Sequence, residues 1–67
     1  MATFLINGAQ QTLPGTPSLA HALLALGLGG KRLAVECNGQ IVPRSQHDSH
    51  LLTDGDRVEI VVAVGGG

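Results

Sequence analysis

The sequence of 67 residues has few of the residue types that cross-link or fill a small protein. It contains a single cysteine, Cys37, no tryptophan and no tyrosine, and Phe4 is its one aromatic residue. A lone cysteine cannot form an internal disulfide, which excludes a disulfide-stabilised secreted scaffold. A chain of this length makes one domain that buries roughly 60% of its unfolded surface. We therefore expect one aliphatic core of modest stability.

Charged residues are also scarce, at 13% of the chain, with a formal net charge of −1. The basic residues are scattered and form no stripe that would follow a phosphate backbone, which argues against a nucleic-acid partner. No apolar run approaches the ~20 residues of a membrane-spanning helix, and no signal peptide precedes Thr3. These absences predict a cytoplasmic protein that binds neither membranes nor nucleic acid.

Two Asn-Gly pairs stand between segments with strand-like patterns. Both pairs, Asn7-Gly8 and Asn38-Gly39, tolerate the positive φ angles of a two-residue hairpin turn. The strands predicted around these turns are residues 3–6, 10–13, 33–37 and 40–42. A last strand, residues 57–62, follows the turn at 54–56 and has the strongest β pattern in the chain. The connection between the second hairpin and that turn is predicted to carry Leu51 and Leu52 into the core.

A short helix is predicted between the two hairpins. Thr16 followed by Pro17, or alternatively Ser18, supplies its N-terminal cap. Gly27 ends it, and Leu28 can fold back onto the helix as in a Schellman ending. Apolar residues recur at helical spacing and form one stripe: Leu19, Ala22, Leu23 and Leu26.

The order of these elements, ββαβββ, indicates an α+β fold. For the strands to share one sheet, the last strand should lie parallel to the first, in the middle of the sheet. We predict a β-grasp, or ubiquitin-like, fold: a mixed sheet of four to five strands with one main helix across one face. Residues 1–62 form this domain, and residues 63–67 form a flexible C-terminal tail.

The tail ends in three glycines, Gly65, Gly66 and Gly67, which favour chemistry on the terminal carboxylate. Glycine has no Cβ to shield the carbonyl carbon or to block a narrow channel. Five extended residues span roughly 17 Å, enough to reach into the cleft of another protein. An ordinary frayed terminus is the alternative interpretation.

The remaining candidate sites have simpler structural explanations. Cys37 shares strand parity with core residues and is predicted to be buried and unreactive. Asp54 and Asp56 resemble a catalytic pair, but a turn around Gly55 explains them. The glycine-rich loop at 27–31 lacks the spacing of a phosphate-binding loop. The histidines lack zinc-site spacing and are predicted to face solvent or to cap elements: His21, His47 and His50.

Two longer runs carry a family resemblance. The segments VECNGQIVPRS at 35–45 and LTDGDRVEI at 52–60, with the β-grasp pattern and the terminal Gly66-Gly67, resemble the ThiS family of sulfur carrier proteins of thiamine biosynthesis. The Asp-Gly-Asp turn and the terminal glycines are shared with MoaD, the small subunit of molybdopterin synthase. This chain departs from the pattern at His47, where relatives often carry an aromatic residue, and at Gly65, a third glycine before the terminal pair.

The resemblance implies a carrier rather than an enzyme. A ThiF-type adenylyltransferase would use ATP to convert the Gly67 carboxylate into an acyl-adenylate, and a persulfide derived from a cysteine desulfurase would convert it into a thiocarboxylate. Thiazole synthase, ThiG, would receive the sulfur. Gly65 and Gly66 would line the narrow approach in both partners. The carrier itself would bind no cofactor or metal and would be monomeric alone.

A partner surface is predicted on the open face of the sheet. The parity of the first and last strands places Leu5 and Val61 on that face, where we expect them to lie side by side as a docking patch. Two other functions stay open at this point. One is a MoaD-type subunit or a ubiquitin-like protein modifier, and the other is a β-grasp binding module with an inert tail.

Overall fold

The computed structural model describes residues 1–62. The predicted tail, residues 63–67 with Gly65, Gly66 and Gly67, lies outside the described residues. The elements follow in the order β1 (Ala2–Ile6), β2 (Ala9–Leu13), α1 (Leu19–Ala25), β3 (Leu33–Cys37), β4 (Gln40–Ile41), a 3₁₀ turn (Arg44–Gln46) and β5 (Arg57–Val62). The predicted ββαβββ order is confirmed.

The five strands form one mixed sheet in the order β2-β1-β5-β3-β4. Strand β5 is central, parallel to β1 and antiparallel to β3, while each hairpin pairs antiparallel. Both hairpin turns place asparagine and glycine at positive φ, at 50° and 84° for Asn7 and Gly8 and at 53° and 83° for Asn38 and Gly39. These angles define the type I′ turns that match the twist of a hairpin.

Helix α1 begins at a serine cap. The Ser18 hydroxyl oxygen accepts a hydrogen bond from the His21 N–H at 3.1 Å. The alternative cap is therefore confirmed, and the start at Thr16 is wrong. Pro17 is buried outside the helix, where its carbonyl accepts a hydrogen bond from the Leu52 N–H at 2.8 Å.

The helix ends in the predicted Schellman motif. Gly27 adopts a φ of 75°, and its N–H donates to the Leu24 carbonyl at 3.0 Å. The Leu28 N–H donates to the Leu23 carbonyl at 2.8 Å, and the Leu28 side chain packs against the core. Leu26, the last residue of the predicted stripe, is 36% exposed and is not one of the buried core residues.

The core fills the space between α1 and one face of the sheet. The largest side chains that lose almost all contact with solvent are those of Phe4, Leu19, Val35, Leu52 and Val58. Leu52 belongs to this core as predicted, but Leu51 does not, since 54% of its surface is exposed. The cause is an isolated bridge between Leu51 and Ser18, which fixes the backbone so that neighbouring side chains point in opposite directions.

Candidate functional site

The candidate site begins at the C-terminal end of β5, the last described residues before the predicted reactive terminus. Along β3 the pairing is complete, because Val58 to Val62 face Cys37 to Leu33 in unbroken register. Along β1 the strand pairing covers only Arg57 and Val58. Past Val58, the β1 side of β5 therefore has no strand neighbour among residues 1–62.

The side chain of Asn7 takes the place of that missing strand. Its backbone N–H donates to the Val58 carbonyl at 2.9 Å. Its side-chain Oδ1 accepts from the Ile60 N–H at 2.7 Å, and its Nδ2 donates to the Ile60 carbonyl at 3.0 Å. Backbone polar groups removed from water require partners. The carboxamide provides both and so extends the ladder by one residue pair.

Asn38 performs a similar role at the start of β5. Its N–H donates to the Arg57 carbonyl at 2.7 Å, and its Oδ1 accepts from the Arg57 N–H at 2.9 Å. Its Nδ2 donates to an Asp56 carboxylate oxygen at 3.0 Å. The two hairpin asparagines thus fix β5 in the sheet by contacts that reach well beyond their own turns.

Asp54 and Asp56 are structural acceptors in the turn before β5. The Thr3 N–H donates to Asp54 at 2.8 Å, and the Thr53 N–H donates to Asp56 at 2.9 Å. Burial acts to raise the pKa of Asp56, but hydrogen bonds from Thr53 and Asn38 outweigh it and lower that pKa below its usual value. This geometry agrees with the turn interpretation and not with a pair of catalytic carboxylates.

Leu5 and Val61 lie on the same open face but not side by side. Leu5, half-buried, pairs with Arg57 across the parallel ladder, whereas Val61, 66% exposed, pairs with Ala34 on the other side of β5. Val61 lies four steps along the strand from Arg57, about 13 Å at roughly 3.3 Å per step. The predicted parity is correct and the predicted adjacency is wrong, so these residues mark two ends of the face.

Cys37 is buried in the core with 5% of its surface exposed, as its parity predicts. Burial raises the pKa of its thiol, and the nearby Asp56 carboxylate raises it further. A thiol in this environment has little thiolate character and little access to a substrate. The body therefore offers a poor attachment point for sulfur at its only cysteine.

His47 is buried and does not face solvent, but it is the residue that caps the 3₁₀ turn at its C-terminal end, which is the other role predicted for the histidines. Its Nε2 lies 3.1 Å from the Val42 carbonyl oxygen. A carbonyl only accepts, so Nε2 carries the proton. The ring fills the space between α1 and the chain after β4, where the Ala20 N–H donates to the His47 carbonyl at 2.9 Å. The imidazole is therefore buried with its polar Nε2 satisfied by a hydrogen bond.

A cavity of about 330 Å³ lies beside His47, between the end of α1 and the start of β3. Leucine side chains line it, with Lys31, Arg44 and Asp48 at its edge. Within residues 1–62, no group of three or more histidine, cysteine or acidic side chains has the geometry to hold a metal ion. No helix in that part of the chain is long and apolar enough to cross a membrane.

A mixed sheet with a central last strand, crossed on one face by a single helix, defines a β-grasp protein. Residues 4–67 match the model of the ThiS family. The chain therefore belongs to the ThiS family, the sulfur carrier proteins of thiamine biosynthesis.

The chain is similar along most of its length to one solved structure and to two relatives known by sequence. The crystal structure of the thiamine biosynthesis protein ThiS from Geobacter metallireducens superposes with a TM-score of 0.79 at 31% identity, covering 97% of this chain and 99% of that one. A thiazole synthase from Paramagnetospirillum magneticum is 36% identical over 63 residues, 94% of this chain, and this chain spans 19% of its length. The uncharacterized protein ycf40 of Porphyra purpurea is 36% identical over 62 residues, which cover 92% of this chain and 87% of that protein.

Proposed function

We propose that the protein carries sulfur as a thiocarboxylate on Gly67 and donates it to a thiazole synthase. The observation that carries this proposal is the extent of the family match, which continues through the glycine tail to residue 67. The body supports it as well, because Asn7 and Asn38 hold β5, the strand that leads into that tail. The only thiol of the chain is buried.

The chemistry on Gly67 proceeds in two stages. First, a carboxylate oxygen attacks the α-phosphorus of ATP in a ThiF-type adenylyltransferase, and pyrophosphate leaves. The product is an acyl-adenylate whose leaving group, AMP, is far better than an oxide. A persulfide sulfur from a cysteine desulfurase then attacks the carbonyl carbon and displaces AMP. The acyl group is then joined to the desulfurase cysteine through the S–S bond of the persulfide. A second thiol attacks the cysteine sulfur of that bond, forms a new disulfide with it, and releases the thiocarboxylate.

Gly65 and Gly66 are proposed to occupy the narrow channels of both partner enzymes, where a Cβ would obstruct the approach. ATP is consumed by the activating enzyme and is not a cofactor of the carrier. The carrier is proposed to act in the cytoplasm, as a monomer between its encounters. Its association with thiazole synthase finds support in the relatives of that name that contain a matching segment within one longer chain.

Leu5 and Val61 are proposed as docking residues on the open face. Because they lie at two ends of that face, a partner that touches both must cover the exposed side of β5 between them. Such a footprint leaves the helix side of the domain free. It also places the partner next to the end of β5, where the tail begins.

The experiment tests the terminus directly. Three variants change it: one alanine added after Gly67, deletion of Gly67, and Gly66→Val. Each misplaces or obstructs the reacting carboxylate, and a displacement of about 1 Å can lower a rate about 100-fold. We expect ATP-pyrophosphate exchange with the adenylyltransferase to fall by about that factor and thiocarboxylate, detected by intact mass, to disappear.

The matched control adds one alanine before Met1, which is exposed at the other end of the chain. This control should behave as the parent in both assays. All variants should keep the parental thermal midpoint, because none of them changes a residue of the hydrophobic core formed within residues 1–62. Parental rates of sulfur acceptance in all three tail variants would reject the carrier and favour a binding module with an inert tail.

A further inference from the structure

The open face carries a pair of like charges that sheet stability does not explain. Glu36 of β3 and Glu59 of β5 lie directly opposite each other in the antiparallel ladder, and both are exposed. Like charges in this position destabilise a sheet. Apolar side chains flank them: Ile41, 71% exposed, pairs with Glu36, and Val61, 66% exposed, follows Glu59 on the same face.

The charges of the open face do not cancel. Among the described residues, the strand positions of this face carry two carboxylates and one cation, Arg57, for a sum of −1. Arg57 precedes Glu59 by one position on the face and lies diagonal to Glu36. A single guanidinium can neutralise only one of the two carboxylates. The other side chains of the face are uncharged: Thr3, Leu5, Gln10, Thr12, Ala34, Ile41 and Val61.

We infer that Glu36 and Glu59 together receive a lysine or arginine side chain from the partner that covers this face, with Ile41 and Val61 in apolar contact around it. The inference rests on the proposed function, and the partner is the adenylyltransferase of that proposal. A cation held between two carboxylates makes charge-assisted hydrogen bonds, which are stronger than neutral ones. Its approach is accelerated by the opposite charge of the face.

Charge complementarity favours this occupant over two others. A second copy of the chain would bring the same face, and four carboxylates would meet with only two guanidinium groups, which leaves a net charge of −2 in the contact. Nucleic acid would add phosphates to a surface that is already negative. A basic residue set in an apolar surface matches both features of the face.

The inference predicts opposite effects on folding and on association. Glu36→Gln and Glu59→Gln keep the shape of the side chain but remove the repulsion, so the thermal midpoint of each variant should rise by about 1–8 °C. Each should also slow association with the adenylyltransferase about three-fold at low ionic strength, and the double variant on the order of ten-fold. Salt screens exposed charges, so these differences should shrink as ionic strength rises.

The test measures association rates with the purified adenylyltransferase over a range of salt concentrations, and thermal midpoints of the carrier alone. Asp48→Asn is the matched control, since it removes one exposed negative charge on the helix side of the domain. It should leave the association rate near that of the parent. ATP-pyrophosphate exchange with the parent protein is measured in the same experiment, as the test of the proposed function.

The outcomes are distinct. Slower association in the glutamate variants with a near-parental control supports the inference. Equal slowing in the control attributes the effect to overall charge and overturns it, as does unchanged or faster association of the glutamate variants while the parent is adenylated normally. If the parent supports no pyrophosphate exchange, the proposed function fails and the inference fails with it.

Discussion

Replacing Asn7 by glycine tests whether the Asn7 carboxamide continues the hydrogen bonding of β5 past the end of β1. Glycine adopts the positive φ of this turn without strain, so the hairpin persists and only the carboxamide is lost. Two hydrogen bonds to Ile60, at 2.7 and 3.0 Å, disappear with it. Each is worth roughly 0.5–1.5 kcal/mol net. We expect the free energy of unfolding to fall by about 2 kcal/mol, a drop of about 8–16 °C in thermal midpoint for a domain of this size.

Asn38→Gly is the matched control for this change. It alters the same residue type in the same kind of turn, so the added freedom of the unfolded chain is equal in both variants. Its lost bonds, to Asp56 and Arg57, are exposed, whereas those of Asn7 are partly buried. Water replaces exposed partners more readily, and we expect a loss of about 1 kcal/mol.

A third variant, Asn7→Asp, separates the two bonds of the carboxamide. It keeps an acceptor for the Ile60 N–H but places an oxygen against the Ile60 carbonyl, where no donor remains. We expect it to be at least as destabilising as Asn7→Gly at neutral pH. Urea unfolding monitored by circular dichroism measures all three values. Equal losses in Asn7→Gly and Asn38→Gly, or a loss below about 0.5 kcal/mol in Asn7→Gly, would refute the role assigned to this side chain.

Three further predictions follow from the site. Because burial raises the pKa of Cys37, the thiol of the native protein should react with iodoacetamide far more slowly than the thiol of the unfolded protein. The Cys37→Ala variant should still gain sulfur at Gly67, measured by intact mass. A folded Cys37→Ala protein that gains no sulfur would contradict the chemistry at the terminus. The pKa of Asp56 in the folded state is lowered from 3.8, so the stabilising contribution of its carboxylate is present above pH 3.8 and is lost as the pH falls through the folded pKa. The difference in unfolding free energy between the parent and Asp56→Asn should therefore shrink in acid. A difference that stays constant with pH would disprove this role of Asp56. Leu5→Ser and Val61→Ser leave the net charge of the carrier unchanged. Each should raise the carrier concentration needed for half-maximal pyrophosphate exchange without lowering the thermal midpoint by more than a few degrees. Parental kinetics in both variants would show that these residues do not belong to the docking face.

Short-range patterns predict most of the fold. The Asn-Gly turns, the glycine that ends α1 and the alternation in β5 each depend on neighbours within a few residues, and the structure agrees with them. The misassignments arise where a distant contact decides. Thr16 and Ser18 are equally good caps by residue type, but the Leu19 N–H donates to the His50 carbonyl, which sets the helix start.

Prediction of the candidate site has the same limit, because it also depends on contacts between distant parts of the chain. Strand parity predicts that Leu5 and Val61 share a face, but parity carries no information on register, and the ladder places them apart. The bonds from Asn7 to Ile60 join residues 53 positions apart, a distance over which a local pattern gives no signal. The buried ring of His47 finds its hydrogen-bond partner in the Val42 carbonyl, a contact that depends on the path of the chain after β4.

The position of β5 has a mechanical consequence. Under the proposed function a partner enzyme holds the C-terminal residues, and a force applied there would reach the domain through β5, the strand that ends the described part of the chain. β1 pairs with its first two residues, β3 pairs with the rest of the strand, and the Asn7 carboxamide binds Ile60 where β1 has ended. A force along the strands loads these hydrogen bonds in shear, so they resist together instead of opening one by one. We therefore expect β5 to stay in the sheet when force is applied at its C-terminal end.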